Sequence, residues 1–432
     1  MADLATNPYR PSRSQITFRV TPRMLDFWAF TLWVMVTYVV FKNDELLQYP
    51  LALYFMFAIW RDQRVVVPLL VRAWVPLVFV CWCLISPIWA VEPVTAFKTA
   101  LYLLLTLLIC YHVAATLTAR QILYAVVLAT GFIGVLCLYV GLTGGEMNRG
   151  VFLQKNAMGK SMIVLWTAAL AVALDRGSTR KVRLASAAVA ALGLFLGFAS
   201  ESATAVLLML ATGAVLFFGS IVLVGGINRP SRLVLLFGFI SIVFFLGALI
   251  LPTFQGNPVE MVLDRFGKDS TLTGRTGLWA HAEEQIEKSP VLGVGAGGFW
   301  RYHASPLVQM IFEDNNKNSS ATFNFHNSYY EITVHQGMIG LFFAVVSIVW
   351  AQFIIMRGAL RLATMPVIFF LAQSVAVLAR TMTESDFLRP FVLFHMVFWI
   401  GAFLILKEEA RLRGPSQKAR TQAKIRRSLL RQ

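Results

Sequence analysis

The chain has 432 residues, of which 57% are hydrophobic and only 14% are charged. A soluble chain usually carries roughly 25% charged residues, and here the apolar residues form repeated stretches of about 17–25, the length of a helix that crosses a bilayer. These properties exclude a soluble enzyme, a disordered regulator and a disulfide scaffold. The sequence therefore predicts an all-α polytopic membrane protein.

The formal net charge of +16 is concentrated at the two ends of the chain. Four arginines lie within residues 1–24, and nine basic residues lie within residues 407–432. Basic arms that flank membrane helices are typical of cytoplasmic segments next to anionic lipid. No basic domain with interleaved aromatic residues accompanies this charge, so membrane lipids are a predicted partner and nucleic acid is not.

The apolar stretches predict about twelve transmembrane helices. They are placed at residues 25–42, 46–60, 73–90, 95–116, 120–142, 157–174, 183–199, 203–226, 231–252, 327–355, 362–382 and 388–406. The segment 65–72 ends in an arginine, so an interfacial helix is the alternative there. An even number of helices places both termini on one side of the membrane.

Basic and acidic loops alternate along this topology. Loops such as the one with Arg61 and Arg64 carry basic residues, and the intervening loops carry acidic residues such as Glu92 and Glu201. The positive-inside rule then places the basic loops and both termini in the cytoplasm. The predicted division is a cytoplasmic basic arm at 1–24, nine helices at 25–252, a long periplasmic loop at 253–325, three helices at 326–406, and a cytoplasmic basic tail at 407–432.

The polar clusters converge on the predicted outer face, in the loop 143–156, the turn 200–202 and the long loop. This asymmetry favours an active site built on one surface. A transporter is the alternative from another class, since about twelve helices is a common transporter count. It would place polar motifs at mid-membrane or repeat its two halves, and neither pattern is visible. A structural scaffold does not explain basic and histidine residues collected on one face.

Two residues of the outer face are candidates for chemistry. Arg275 begins a predicted helix, and its planar guanidinium suits an anionic ligand held above the bilayer, or alternatively lipid phosphates. His326 lies where the long loop re-enters the membrane. Helical spacing puts it over Tyr330 and puts Asn327 over Glu331. A histidine there is a candidate general base, and the alternative is a helix cap.

Further charged residues have two interpretations each. Arg149 and Lys155 either attract an anionic ligand or, for Arg149, neutralise Glu146. Arg265 either binds the same ligand or pairs with the aspartate before it. Glu384 either orients a catalytic base or is a polar group at a helix end.

Taken together, these motifs resemble the O-antigen ligase/polymerase superfamily. The resemblance is carried by Gly-Arg-Thr-x-Leu-Trp at 274–279, Pro-x-x-Gly-x-Gly at 290–295, His326-Asn327 with Glu331, and Gly337-x-x-Gly340. The Arg-Gly-Val-Phe…Lys-Asn element at 149–156 looks like the form found in exopolysaccharide polymerases. The turn Ser-Glu-Ser at 200–202 departs from the Ser-x-Ser-Arg of many members.

The resemblance implies a GT-C-like glycosyltransferase of the bacterial inner membrane that uses no metal and no cofactor. Its donor would be a glycan on undecaprenyl pyrophosphate. The acceptor would be a second glycan in a polymerase, or lipid A–core in an O-antigen ligase, and the 149–156 element favours the polymerase. Polysaccharide-synthesis and flippase proteins are candidate partners.

The resemblance also assigns roles within the site. The pyrophosphate would be bound by Arg275, Arg149, Lys155 and Arg265. His326 would activate the acceptor hydroxyl. The three catalytic candidates are then His326, Arg275 and Glu384, and Asn327, Tyr330 and Glu331 are candidates for supporting roles. Displacement at the anomeric carbon would invert its configuration.

Overall fold

The computed structural model of the chain describes residues 21–39, 41, 43–225, 231, 275–303, 305–315, 318–319 and 323–429, with side chains as far as residue 412. Apart from residue 231, the predicted helix at 231–252 lies outside the described residues, as do the candidate Arg265 and nearly all of the basic arm.

All regular secondary structure in these ranges is helical. The α-helices are α1 Pro22–Tyr38, α2 Glu45–Arg61, α3 Gln63–Arg72, α4 Val75–Ile85, α5 Pro93–Thr116, α6 Ala119–Leu142, α7 Lys155–Leu174, α8 Arg180–Ala199, α9 Ala203–Phe218, α10 Arg275–Lys288, α11 Pro306–Asp314, α12 Ser328–Leu362, α13 Met365–Thr381 and α14 Leu393–Leu429. A 3₁₀ turn, Ser86–Ile88, extends α4, and a π-helical turn, Gly219–Leu223, extends α9.

Six of the described helices are long and apolar enough to cross a membrane, and a bent pair raises the number to seven. In that pair, α3 meets the following α4 segment at 92°, which is the geometry expected if 65–72 lies along the interface. The prediction of an all-α polytopic membrane protein is confirmed. The count of twelve helices and the GT-C-like arrangement remain predictions.

Local sequence signals explain where several helices begin. Thr118 and Gln121 form a capping box at the start of α6, and Thr179 caps α8. These side chains satisfy backbone amides that have no partner inside the helix. In the bundle that results, α7 packs against α6, α8, α9 and α13, and α14 packs against α5 and α12.

Loops that the sequence assigns to one face meet at one end of the bundle. The Lys155 ammonium lies 3.4 Å from Glu201, and the Lys160 ammonium lies 3.2 Å from both carboxylate oxygens of Asp386. These contacts join the start of α7, the turn between α8 and α9, and the turn between α13 and α14. We call this the loop end; the side of the membrane that it faces remains a prediction.

The Pro-x-x-Gly-x-Gly segment crosses α12 at an interruption of that helix. Gly337 has a φ of 65° and a ψ of −174°, which breaks the helical backbone. The Gly295 amide donates to the His335 carbonyl at 2.8 Å, and the Met338 amide donates to the Pro290 carbonyl at 2.9 Å. Gly337 therefore allows the loop to pack against the helix.

We expect Gly337→Ala to destabilise the protein. Its backbone conformation is open essentially to glycine alone and costs another residue roughly 1–3 kcal/mol, and the added Cβ would also overlap the carbonyl of Val291. Gly277→Ala is the control, because a Cβ at that position in α10 meets no described atom within 4 Å and alanine favours the helix. Thermal unfolding in detergent should show a lower midpoint for Gly337→Ala alone, and equal midpoints would contradict the assigned role.

Candidate functional site

His326 lies beside Glu384 at the loop end. Its Nδ1 atom is 3.6 Å from Glu384 Oε2, slightly beyond hydrogen-bond length. α12 begins only at Ser328, and His326 has a left-handed φ of 51°. The expectation that His326 stacks over Tyr330 on one helix face is therefore wrong, because His326 precedes the helix. Its amide donates to Asn324 Oδ1 at 2.9 Å, which holds this turn.

Side-chain caps fix the position of this turn against the turn that follows α13. Asn327 is the N-cap of α12, and its Oδ1 accepts from the amide of Tyr330 at 3.3 Å. The Asn327 amide donates to Ser385 Oγ at 3.1 Å, and Ser328 Oγ donates to the Glu384 carbonyl at 2.6 Å. Asn327 thus supports the site through the backbone, and the distance between His326 and Glu384 is set by these bonds.

A buried charge network lies next to Glu384. Asp386 is 4% exposed and accepts from Arg380 and Lys160. Burial would raise the pKa of Asp386, but the charges of Lys160 and Arg380 hold it well below its ordinary value. Burial likewise opposes ionisation of Glu384, whereas His326 and Arg380 lower its pKa. Glu384 is thus an anion near neutral pH, suited to orienting an imidazole through Nδ1 and leaving Nε2 to accept a proton.

Glu331 braces the site from inside the protein. Its carboxylate accepts from Trp300 Nε1 at 2.8 Å and from the Phe325 amide at 3.0 Å, and His335 Nε2 lies 3.2 Å away. Because these partners occupy both oxygens, Glu331 supports the backbone before His326 and does not face His326 itself. Neither Trp300 nor His335 was among the predicted site residues. The sequence signal for His335 was its i, i+4 spacing from Glu331.

Arg275 lies at the start of α10, which packs on the beginning of α12. Trp279 Nε1 donates to the Phe325 carbonyl at 2.9 Å and its ring stacks on Tyr330 at 5.7 Å, while the Tyr330 hydroxyl donates to Glu283 at 2.6 Å. Arg275 is one turn before Trp279 and therefore shares its face of α10. Within the described part of the chain, Arg275 makes no hydrogen bond or ion pair, so its guanidinium is available for an anion.

The two basic residues of the first outer loop are paired with carboxylates. Arg149 forms a bidentate pair with Glu146, as the alternative interpretation held, and Lys155 lies 3.4 Å from Glu201. Exposed pairs of this kind contribute only about 0–1 kcal/mol, so an anionic ligand can replace the carboxylate in either pair. Lys160 is the more buried cation of this loop region, and its link to Asp386 connects it to the Glu384 turn.

One cluster among the described residues has the spacing of a metal site. Asp26, Asp62 and His112 place their ligand atoms within 4.8 Å of one another. Asp26 lies near the start of α1. Tyr38, at the other end of that helix, donates its hydroxyl to the Ser161 carbonyl beside the loop end. Arg61 binds both carboxylates, at 2.7 and 2.5 Å. The cluster is a charge-compensated group remote from His326.

Comparisons with known proteins cover most of this region. The family model described as O-Antigen ligase (Wzy_C) matches residues 188–345, a range that includes Arg275, His326 and Glu331. The chain is also 27% identical over 348 residues to the exopolysaccharide production protein ExoQ of Rhizobium meliloti (strain 1021). That similarity spans 79% of this chain and 77% of the relative, so it extends well beyond the matched domain.

Proposed function

We propose that this chain is a membrane glycosyltransferase that joins repeat units carried on undecaprenyl pyrophosphate, at the periplasmic face of the bacterial inner membrane. The premise is that both comparisons support the O-antigen ligase/polymerase family, as the motifs predicted. The observation that carries the proposal is the pairing of His326 with an ionised Glu384 at the loop end. Arg275, which has no ion-pair partner among the described residues, lies on α10, and α10 packs against α12.

The proposed reaction needs a base and a site for negative charge. His326 Nε2 takes the proton of an acceptor hydroxyl, and the hydroxyl oxygen attacks the anomeric carbon of the donor. The bond from that carbon to the pyrophosphate oxygen breaks, and the electron pair leaves with undecaprenyl pyrophosphate. Because attack and departure occur on opposite faces, the configuration inverts. Arg275, with Arg149 and Lys155, stabilises the charge that develops on the phosphates.

A polymerase is favoured over a ligase by the 149–156 element and by the name of the relative, which concerns exopolysaccharide production. An O-antigen ligase, which transfers glycan to lipid A–core, is the second candidate because the family model bears that description. The two differ in the acceptor and share the donor, so the same residues serve both.

The test uses purified protein in liposomes that contain undecaprenyl-pyrophosphate-linked repeat units and no other acceptor. A ladder of longer glycans on a gel supports the polymerase. Glycan transfer that begins only after lipid A–core is added identifies a ligase. The absence of transfer to either acceptor contradicts the proposal.

We expect Arg275→Ala to weaken donor binding as well as turnover. The variant removes a guanidinium that has no partner in the described residues, and a charged hydrogen bond to phosphate is worth about 1.5–3 kcal/mol, or roughly 10- to 100-fold in affinity. Binding of undecaprenyl pyrophosphate to protein in nanodiscs measures it. Lys288→Ala is the control, since this exposed lysine of α10 pairs with Glu284. Equal affinity in both variants would show that Arg275 does not contact the donor.

A further inference from the structure

A cavity of about 430 Å³ opens beside the His326 site. Trp300, Tyr302 and Phe323 line it, as do Asn324 and Ser385. The last two link the cavity to the site. Asn324 binds the amide of the general-base candidate, and Ser385 directly follows the glutamate beside it. The cavity lining therefore comes within two residues of His326 and one residue of Glu384 along the chain.

The aromatic lining suits a sugar. The C–H face of a sugar ring is apolar and packs on an aromatic ring, while its hydroxyls need polar partners of the kind that Asn324 and Ser385 supply. Pockets that enclose drug-sized ligands measure roughly 300–1,000 Å³, and this cavity, at about 430 Å³, lies within that range. A cavity that binds only lipid chains does not require polar side chains beside its aromatic rings.

The charge of the cavity is positive. Arg301 and Arg389 line it and are exposed, and neither forms an ion pair with a described residue. Arg301 donates to the Thr95 hydroxyl at 3.0 Å. Glu331 also lines the cavity, but it is 7% exposed and its oxygens are occupied by the contacts described above. The guanidiniums therefore lack an anionic partner there, and an arginine fork matches a carboxylate geometrically.

A second cavity, of about 360 Å³, is lined by Lys160 and Asp44, by apolar and aromatic side chains such as Tyr38 and Phe152, and again by Arg389. The Lys160 ammonium is held by Asp386, and Asp44 adds a carboxylate to the lining. The cavity lined by Trp300 is therefore the better fit for an anionic ligand.

We propose that the cavity lined by Trp300, Tyr302 and Phe323 is the acceptor-sugar subsite, and that Arg301 and Arg389 select a glycan with a carboxylate-bearing sugar near its reacting end. This inference rests on the proposed function and adds a substrate class to it. The aromatic side chains hold the ring, the guanidiniums bind the carboxylate, and the hydroxyl to be glycosylated is directed toward His326.

The test measures binding and not turnover. Full-length protein in nanodiscs is titrated by calorimetry with cellobiouronic acid and, separately, with cellobiose, two β-1,4-linked disaccharides that differ in one carboxylate. We expect the acid to bind about tenfold or more tightly, the gain typical of one charge-assisted hydrogen bond. Arg301→Gln should remove that preference and leave cellobiose binding unchanged. Lys288→Gln, which removes an exposed cation of the same loop outside the cavity, should retain the preference.

Two results would overturn the inference. One is equal affinity for acid and neutral disaccharide in the wild type. The other is loss of acid binding in Arg275→Ala with none in Arg301→Gln, which would place the carboxylate in the donor site. The liposome ladder separates these failures from failure of the proposed function. Polymerisation without a preference for the acid rejects the subsite alone, whereas preference without polymerisation rejects the proposed function alone.

Discussion

We expect His326→Ala to lower glycan transfer by about 10²–10⁴-fold, the usual contribution of a general base, while donor binding remains at the wild-type level. The imidazole is one-third exposed and contacts Glu384 but no other charged residue among those described, so its removal takes away the proton acceptor and leaves Arg275 in place. Initial rates in liposomes and donor affinity in nanodiscs are to be measured on the same preparation.

The matched control for this variant is His281→Ala. His281 lies on α10, at the same end of the protein, and is partly exposed with Glu284 at 4.0 Å. It has no contact with the turn that carries Glu384, so we expect wild-type turnover. Comparable losses in the two variants would mean that His326 has no special role.

We expect Asp386→Ala to destabilise the protein by about 3–5 kcal/mol, the cost of removing one partner from a buried ion pair. Arg380 is 5% exposed and Lys160 is only partly exposed, and both face this carboxylate. Without it, both cations lose the carboxylate that they contact directly. Thermal unfolding in detergent, or the yield of folded protein, would report the loss.

Glu146→Ala is the control for that effect. It also removes a carboxylate bound to an arginine at the loop end, but Glu146 and Arg149 are both about half exposed. Exposed pairs contribute about 0–1 kcal/mol, so this variant should unfold close to the wild-type temperature. If both variants lost the same stability, burial of the Asp386 network would not explain its effect.

Helices were predictable where a long apolar stretch ended in a clear cap. The predicted segments 95–116 and 120–142 match α5 and α6 within a few residues, because the capping box at Thr118 separates them and apolar residues fill both. The pattern also grouped the loops that meet at the loop end. Hydropathy and local caps carry this information, and neither depends on tertiary contacts.

The arrangement of the site was less predictable. Helical periodicity suggested that His326 belongs to α12, but its left-handed φ turns it out of the helix toward Glu384. Lys160 and Asp386 meet although 226 residues separate them. Such a pairing depends on how helices pack, which no local spacing encodes. The acidic residues after Arg380 were visible in the sequence, but nothing in the pattern identified their partners.

Release of undecaprenyl pyrophosphate tests the central claim most directly. Wild-type protein and His326→Ala are placed in liposomes with lipid-linked repeat units, and the free carrier and the new glycosidic bonds are both quantified by mass spectrometry. We expect one undecaprenyl pyrophosphate to be released per new glycosidic bond in the wild type, and nearly none to be released in the variant. Equal release from both proteins, or glycan growth without release of the carrier, would contradict it.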